Sequence, residues 1–319
     1  MKHLLKATVI AASASMIMSS AALAAYPEKE IQVLVGFSAG GGTDVMARTV
    51  APFVEKYLGN GAKLVIKNMP GAGGRIAVTA VAEAAPDGYT LGTYNLPGVM
   101  ARTVDGSRVK YTPESFTFLA NMVNDPNVIV TGKNTGIDTM AKLLDKAKKE
   151  PGAVTVGMAA LSGDDRFALT SLEKLTGTKF NVVPFKGTAP TRSAVMGGHV
   201  PVAVMNVSEV VSFRNEFNVL GVTAAKRSAF APDIPTLKEQ GLDVINGSLR
   251  GFVGPAGLPP AITAKLISAF KQAFNDPQLQ AAMKKSGNVT ELITGDEFKT
   301  LNAQELQLAK DVFKANPWR

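Results

Sequence analysis

Cysteine is absent from the 319 residues, and histidine is nearly absent, with only His3 and His199. That removes any disulfide framework, any cysteine for lipid attachment and the usual ligand sets of a structural or catalytic metal, so no metal is expected. Long one-sign charge runs are also missing. The 34 Lys+Arg against 26 Asp+Glu leave a net charge of +8, but the basic residues are scattered, which excludes a nucleic-acid footprint. A mild positive balance does suit steering small anions inward. After residue 25 no apolar run approaches the ~20 residues that a membrane span needs. The first residues are different in kind. Lys2 and Lys6 precede a mostly apolar stretch from Leu4 to Met18, and Ala22-Leu23-Ala24 is a small-x-small cleavage site. Residues 1–24 therefore read as a cleaved secretory signal peptide, with a mature chain from Ala25 free in a bacterial periplasm.

What is present is glycine, placed where strands end. Ile31 to Val35 is a short β-branched run that predicts a buried strand. Gly36 to Gly42 follows with four glycines in seven residues, then Thr43 and Asp44 where an N-cap and first turn would fall. A strand leading through a bare loop into a helix offers uncovered N–H groups and a dipole end, both of which favour an anion. Apolar residues from Val45 to Leu58 keep helical spacing, and Pro52 inside them predicts a kink or a break.

The pattern continues as β-α-β-α-β. Lys63–Lys67 is the second strand, Asn68–Gly74 a second glycine turn, Arg75–Ala85 a helix and Tyr89–Tyr94 the third strand. Phe116–Met122 and Asn127–Val130 look extended. A similar series then recurs: strands at Val154–Met158, Asn181–Pro184 and Val200–Asn206, with loops at Ser162–Asp165 and Lys186–Thr188. The expectation is an α/β fold of two lobes, the first from 26–122 plus 222–319 and the second from 123–221.

Four loops, 36–43, 69–75, 162–166 and 186–189, follow strands and open helices, so they should share one ligand-binding edge. Arg75 and Lys186 are either partners for an anionic ligand or surface cations. Tyr94 and Asn95, ending the third strand, would offer it a phenol and an amide. Asp164-Asp165 reads as a solvated helix start rather than a cation site. Gly36-Phe37-Ser38-Ala39-Gly40 also fits the G-x-S-x-G elbow of serine hydrolases. That chemistry needs a base, and His199, after two glycines, is the one histidine left once the signal is gone. Gly71-Ala72-Gly73-Gly74 does not complete a dinucleotide fingerprint, because residue 76 is Ile.

YPEKEIQVLVGFSAGGGTDVMAR, VIKNMPGAGGRIA and AAPDGYTLGTYN together resemble the solute receptors of tripartite tricarboxylate transporters, the Bug family. Val183-Pro184-Phe185-Lys186-Gly187, Asp233-Ile234-Pro235-Thr236 and Gly254-Pro255-Ala256-Gly257 extend the likeness over the mature chain. The resemblance implies a type II periplasmic binding protein, a two-lobed flytrap that is not an enzyme and needs no cofactor. It would act as a monomer, taking a small organic carboxylate and serving the membrane subunits of a transporter. Carried over, the ligand contacts are Phe37, Ser38, Gly41, Gly42, Ala72 and Gly73 from the first lobe, with Tyr94 and Asn95 as the floor. Ser162, Gly163, Gly187, Thr188 and Asn206 come from the second. The neutral Asn206, where many members carry an acid, makes an α-amino acid less favoured. A serine hydrolase using Ser38, or a sensor input for a signalling partner, are the alternatives.

Overall fold

The structure is a computed structural model that describes residues 26–315 together with Pro317 and Trp318. The expected signal peptide lies outside the described residues.

The first glycine loop sits between β1 (Ile31–Val35) and α1 (Gly42–Leu58), and the second between β2 (Leu64–Asn68) and α2 (Arg75–Ala82), ahead of β3 (Thr90–Leu96). β1 lies between β2 and β3, all parallel. From Val33 to Val35 the strand is buried on both faces, which is why that stretch is uniformly apolar, while Gln32 is exposed. Val33 and Val35 join Met46, Val50 and Val54 of α1 on one face. Leu34 joins Val78 and Val81 of α2 on the other. Pro52 does not break α1, which runs for 17 residues. Pro52 lies on the exposed side, where the carbonyl left without a donor can be hydrated.

After α3 (Gly98–Val104) the two expected pieces at 116–122 and 127–130 prove to be one strand, β4 (Phe116–Gly132). Its first part pairs antiparallel with β9 (Gly247–Pro255) and β10 (Thr290–Thr294). Its last residues pair with β7 (Val202–Asn206) and β8 (Phe217–Val222). α4 (Met140–Lys149), β5 (Thr155–Met158), α5 (Asp164–Thr176), β6 (Asn181–Pro184) and α6 (Thr188–Met196) complete the second half, with the short α7 (Val207–Val210) after β7. The ten-stranded sheet runs β2-β1-β3-β9-β4-β7-β5-β6, with β8 and β10 also on β4. Each half thus places its first strand, β1 or β5, between an outer parallel partner and an inner one.

The chain does not return to the first half after Thr223. Leu237 and Val244 belong to the same core as Ile129, Leu143 and Leu220, and Phe230 and Ile234 pack against Val128 and Phe217. The return is made by β9, which brings α8 (Pro260–Phe274), α9 (Pro277–Lys285), β10 and α10 (Gly295–Ala315) back to the first half. Phe270 of α8 lies 4.8 Å from Phe252 between ring centroids, each such burial contributing about 1.5–3 kcal/mol. At the junction Thr223 Oγ1 accepts the Asn127 N–H at 2.9 Å and donates to the Asn246 carbonyl at 2.6 Å. Three separate passes of the chain are tied there.

Candidate functional site

The loops after β1, β2, β5 and β6 converge, as their position at strand ends requires. The two glycine loops touch backbone to backbone: a Cβ at Gly36 would stand 2.7 Å from Gly74 Cα. Opposite them, the second-half loops close down. Ser38 N–H donates to the Lys186 carbonyl at 3.2 Å. A Cβ on Gly98 would lie 3.5 Å from Gly163 Cα. The two halves meet over the site, so the cleft is shut.

The first loop is not an open anion cradle. Gly40 N–H donates to Asp44 Oδ2 at 2.9 Å. Gly42 N–H, at the start of α1, donates to Glu209 Oε1 at 3.1 Å. Glu209 therefore brings a carboxylate of the chain itself to the dipole end expected to hold the ligand's. Its other oxygen accepts the Asn206 N–H at 2.9 Å. Glycine at 42 is required by crowding, since a Cβ there would come 2.6 Å from Glu209 Oε1 and overlap the Arg250 guanidinium.

Arg250, on β9, is 1% exposed. It pairs with Asp125 of β4 at 3.0 Å and Glu209 at 3.4 Å, and donates to Asn206 Oδ1 at 2.8 Å and Ser208 Oγ at 3.1 Å. Burial pushes the Asp125 carboxyl up to about 6, against the pull of Arg250. Asp164 and Asp165, at the start of α5, are not the solvated pair expected. Asp165 is 6% exposed. Its oxygens take the Ala159 N–H at 3.0 Å and Asn127 Nδ2 at 3.1 Å. Asp164 Oδ2 accepts from Asn127 at 2.7 Å and Asn206 at 2.9 Å. Burial, then the neighbouring charge of Asp164, hold Asp165 well above the carboxylate range.

Two spaces remain. An inner cavity of about 40 Å³ lies between the halves, lined among others by Phe37, Gly73, Asn95, Ser162, Gly163 and Asp164. At ~10–15 Å³ per water centre it has room for a group the size of a carboxylate with its waters. Outside it, a cleft of about 870 Å³ is lined by Ser38, Ala72, Gly73, Arg102, Lys186 and Arg192 together with apolar residues. Among the described residues, three cations and no carboxylate line this cleft. Arg102, on α3, presses so closely on Gly73 that a Cβ there would overlap its guanidinium. Gly73 also has φ of 61°, a left-handed value that glycine adopts freely. Arg75 lines neither space. The cation beside the second loop is Arg102, twenty-nine positions from Gly73 in sequence and invisible to a local motif.

Of the sequence-derived residues, Phe37, Gly73, Asn95, Ser162 and Gly163 line the inner cavity, and Ser38 and Ala72 the outer cleft. Gly41, Gly42, Thr188 and Asn206 line a smaller adjoining pocket. Gly187 backs Ser38: a Cβ on it would stand 2.9 Å from Ser38 Oγ. Asn206 is at the site, but its amide is committed to Asp125, Asp164 and Arg250. Tyr94 must be corrected. It is fully buried on the far face of β3, edge-on to Phe116 at 5.1 Å, with its hydroxyl on Asn302 at 2.9 Å. Successive strand residues point to opposite faces, so Tyr94 and Asn95 cannot both face the cleft. Among the described residues Ser38 Oγ has no hydrogen-bond partner, and His199 stands exposed beyond α6, so the serine–histidine contact of a serine nucleophile is not formed.

Two α/β halves closing over an enclosed polar site define a two-lobed solute-binding fold of the type II periplasmic class. The chain belongs to the tripartite tricarboxylate transporter receptor family, TctC, whose pattern it matches over residues 46–316. The periplasmic binding protein BugD has a similar structure, with a TM-score of 0.84 at 26% identity, covering 91% of this chain and 98% of that one. MatC from Rhodopseudomonas palustris with bound malate gives 0.84 at 27% identity, covering 90% and 99%. A further R. palustris protein with adipate gives 0.85 at 25% identity, covering 91% and 97%.

Proposed function

We propose that this protein is a periplasmic receptor that captures a small organic carboxylate between its lobes and delivers it to the membrane subunits of a tripartite tricarboxylate-type transporter. The observation that carries the reading is the cationic outer cleft, with Arg102, Lys186 and Arg192, leading to a closed inner cavity edged by Gly73. Similar proteins hold malate and adipate, which supports a carboxylate here. The moving bodies are residues 26–125 with 247–315, and residues 126–246, hinged where Asn127, Thr223 and Asn246 meet. Ligand contact with both bodies favours the closed form, which the membrane subunits read. The receptor acts as a monomer, and the ligand is the only small molecule it requires. A thermal-shift screen of organic acids on the mature protein tests the reading. Binding to the native state raises stability by about 2.7 kcal/mol at a hundredfold excess over Kd. An unmoved melting temperature across di-, tri- and aromatic monocarboxylates sinks it.

A further inference from the structure

Trp318, beyond the end of α10, is the one tryptophan of the chain, and it is 5% exposed. An indole is buried this far where apolar surface covers its body and an acceptor meets its N–H. The first half supplies the acceptor and part of the cover. The ring of Trp318 lies edge-on to Phe313 of α10, 4.7 Å between centroids, and it shares a core with Ala101 and Ala309. Its Nε1–H donates to Asp105 Oδ2, just past α3, at 3.0 Å.

The rest of the cover comes from the other half. Phe167 of α5 meets the indole at 5.2 Å between centroids and is itself 2% exposed. The two helices that meet at this ring also wall the inner cavity. Gly98 and Val99 at the start of α3 line it, and so do Gly163, Asp164 and Asp165 at the start of α5. Ala101 N–H donates to the Pro97 carbonyl at 2.9 Å, and Phe167 N–H to the Gly163 carbonyl at 2.9 Å. Each ring contact therefore stands one helical turn behind a wall of the cavity. Trp318 itself lines neither the inner cavity nor the outer cleft.

Parting the halves would separate Trp318 from Phe167 and return apolar surface of both rings to water, which opposes opening. We infer that Trp318 clasps the two halves in the closed form. Anchored to the first half by Phe313 and Asp105, it presents its remaining face to Phe167 and holds α5 beside α3. Trp318 is then a positioning residue that acts on a bound solute through closure. A solute that binds only the closed form has its apparent affinity scaled by the closed fraction, so the clasp sets affinity from outside the site. The inference concerns closure itself and does not depend on the carboxylate reading.

The test uses the mature protein without any solute. The chain has no cysteine, so Lys67→Cys in the first half and Met196→Cys in the second, both exposed, give two unambiguous positions for spin labels. Pulsed electron resonance then reads the distances between the halves. In Trp318→Ala the ratio of short to long distances should fall about fivefold or more, as the loss of one aromatic pair predicts. Trp318→Phe, which keeps a ring against Phe167 and loses the Asp105 hydrogen bond, should restore part of the ratio. A lower melting temperature with an unchanged distance distribution would overturn the proposal, leaving Trp318 as a packing residue of the first half alone. If Trp318→Ala does not fold, by circular dichroism, Phe167→Leu trims the same contact from the other side, and an unchanged distribution there would overturn the proposal equally.

Discussion

Glu209 Oε1 accepts the Gly42 N–H at 3.1 Å across the cleft, so a carboxylate from one half closes the helix end of the other. Charge at a helix N-terminus contributes ~0.3–1 kcal/mol, more where partly buried. Glu209→Gln keeps an oxygen for the hydrogen bond and removes the charge. The closed form should lose population, seen as a larger radius of gyration by small-angle scattering at subsaturating ligand and a fall in affinity of up to about fivefold. Identical scattering curves for the two proteins would show that the contact does not hold the halves together.

Arg250→Ala should be severe. It leaves Asp125 and Glu209 buried without their cation, a loss on the order of 3–5 kcal/mol. In urea titration, the double change Arg250→Ala with Asp125→Ala should cost less than the sum of the single changes, because the second removes a charge the first has stranded. Strict additivity would mean the pair is not coupled.

The second glycine loop separates Arg75 from Arg102. Arg75→Ala should weaken carboxylate binding by less than about tenfold, or ~1.4 kcal/mol. Arg102→Ala should weaken it further, and Gly73→Val should abolish it, since the new side chain would overlap the Arg102 guanidinium. Melting curves of each variant without ligand establish that it folds. A tolerant Gly73→Val with a thousandfold loss in Arg75→Ala would place the anion elsewhere.

Two aspartates should titrate stability in opposite directions. Asp276 caps α9 and is lowered to about 2 by hydrogen bonds from Lys56 and from the Gln278 N–H. Its contribution is complete above its unfolded value of 3.8 and is lost as pH falls toward about 2. Asp165 is raised, so the native state holds a proton that the unfolded chain releases above 3.8. Its contribution therefore declines as pH rises through and beyond that point. The melting temperature of Asp165→Asn relative to wild type should climb from pH 4 to pH 7, and Asp276→Asn should flatten the profile below pH 4. A constant offset for Asp165→Asn would show that this carboxyl is ionised in the folded protein.

The parts of this fold legible in the sequence are those whose causes are local. Val33, Val35 and the glycines after them announce a strand and its loop within a dozen residues. α9 carries its own local signal, with Asp276 at the N-cap and Pro277 at the first helical position. Arg250 was not legible. Its partners lie 125 and 41 positions away, and no spacing rule reaches that far. Asp164 and Asp165 looked solvated because acids at a helix start usually are. Their burial depends on Asn127 and Asn206, which arrive from other strands. Tyr94 is the opposite case, since strand alternation beside Asn95 was available and decides against it.

β4 pairs with β9 and β10 in one half and with β7 and β8 in the other. A receptor that bends at its middle would seem free to melt one lobe at a time. This strand argues otherwise: neither lobe can lose it without stripping hydrogen bonds from the other. Heat should therefore produce a single calorimetric transition. The amide protons of Val128 to Val130 should exchange with solvent only when the whole molecule unfolds, whichever lobe is weaker. Neither lobe expressed by itself would keep β4 paired on all its sides, so the hinge that lets the halves move is also what makes them one folding unit.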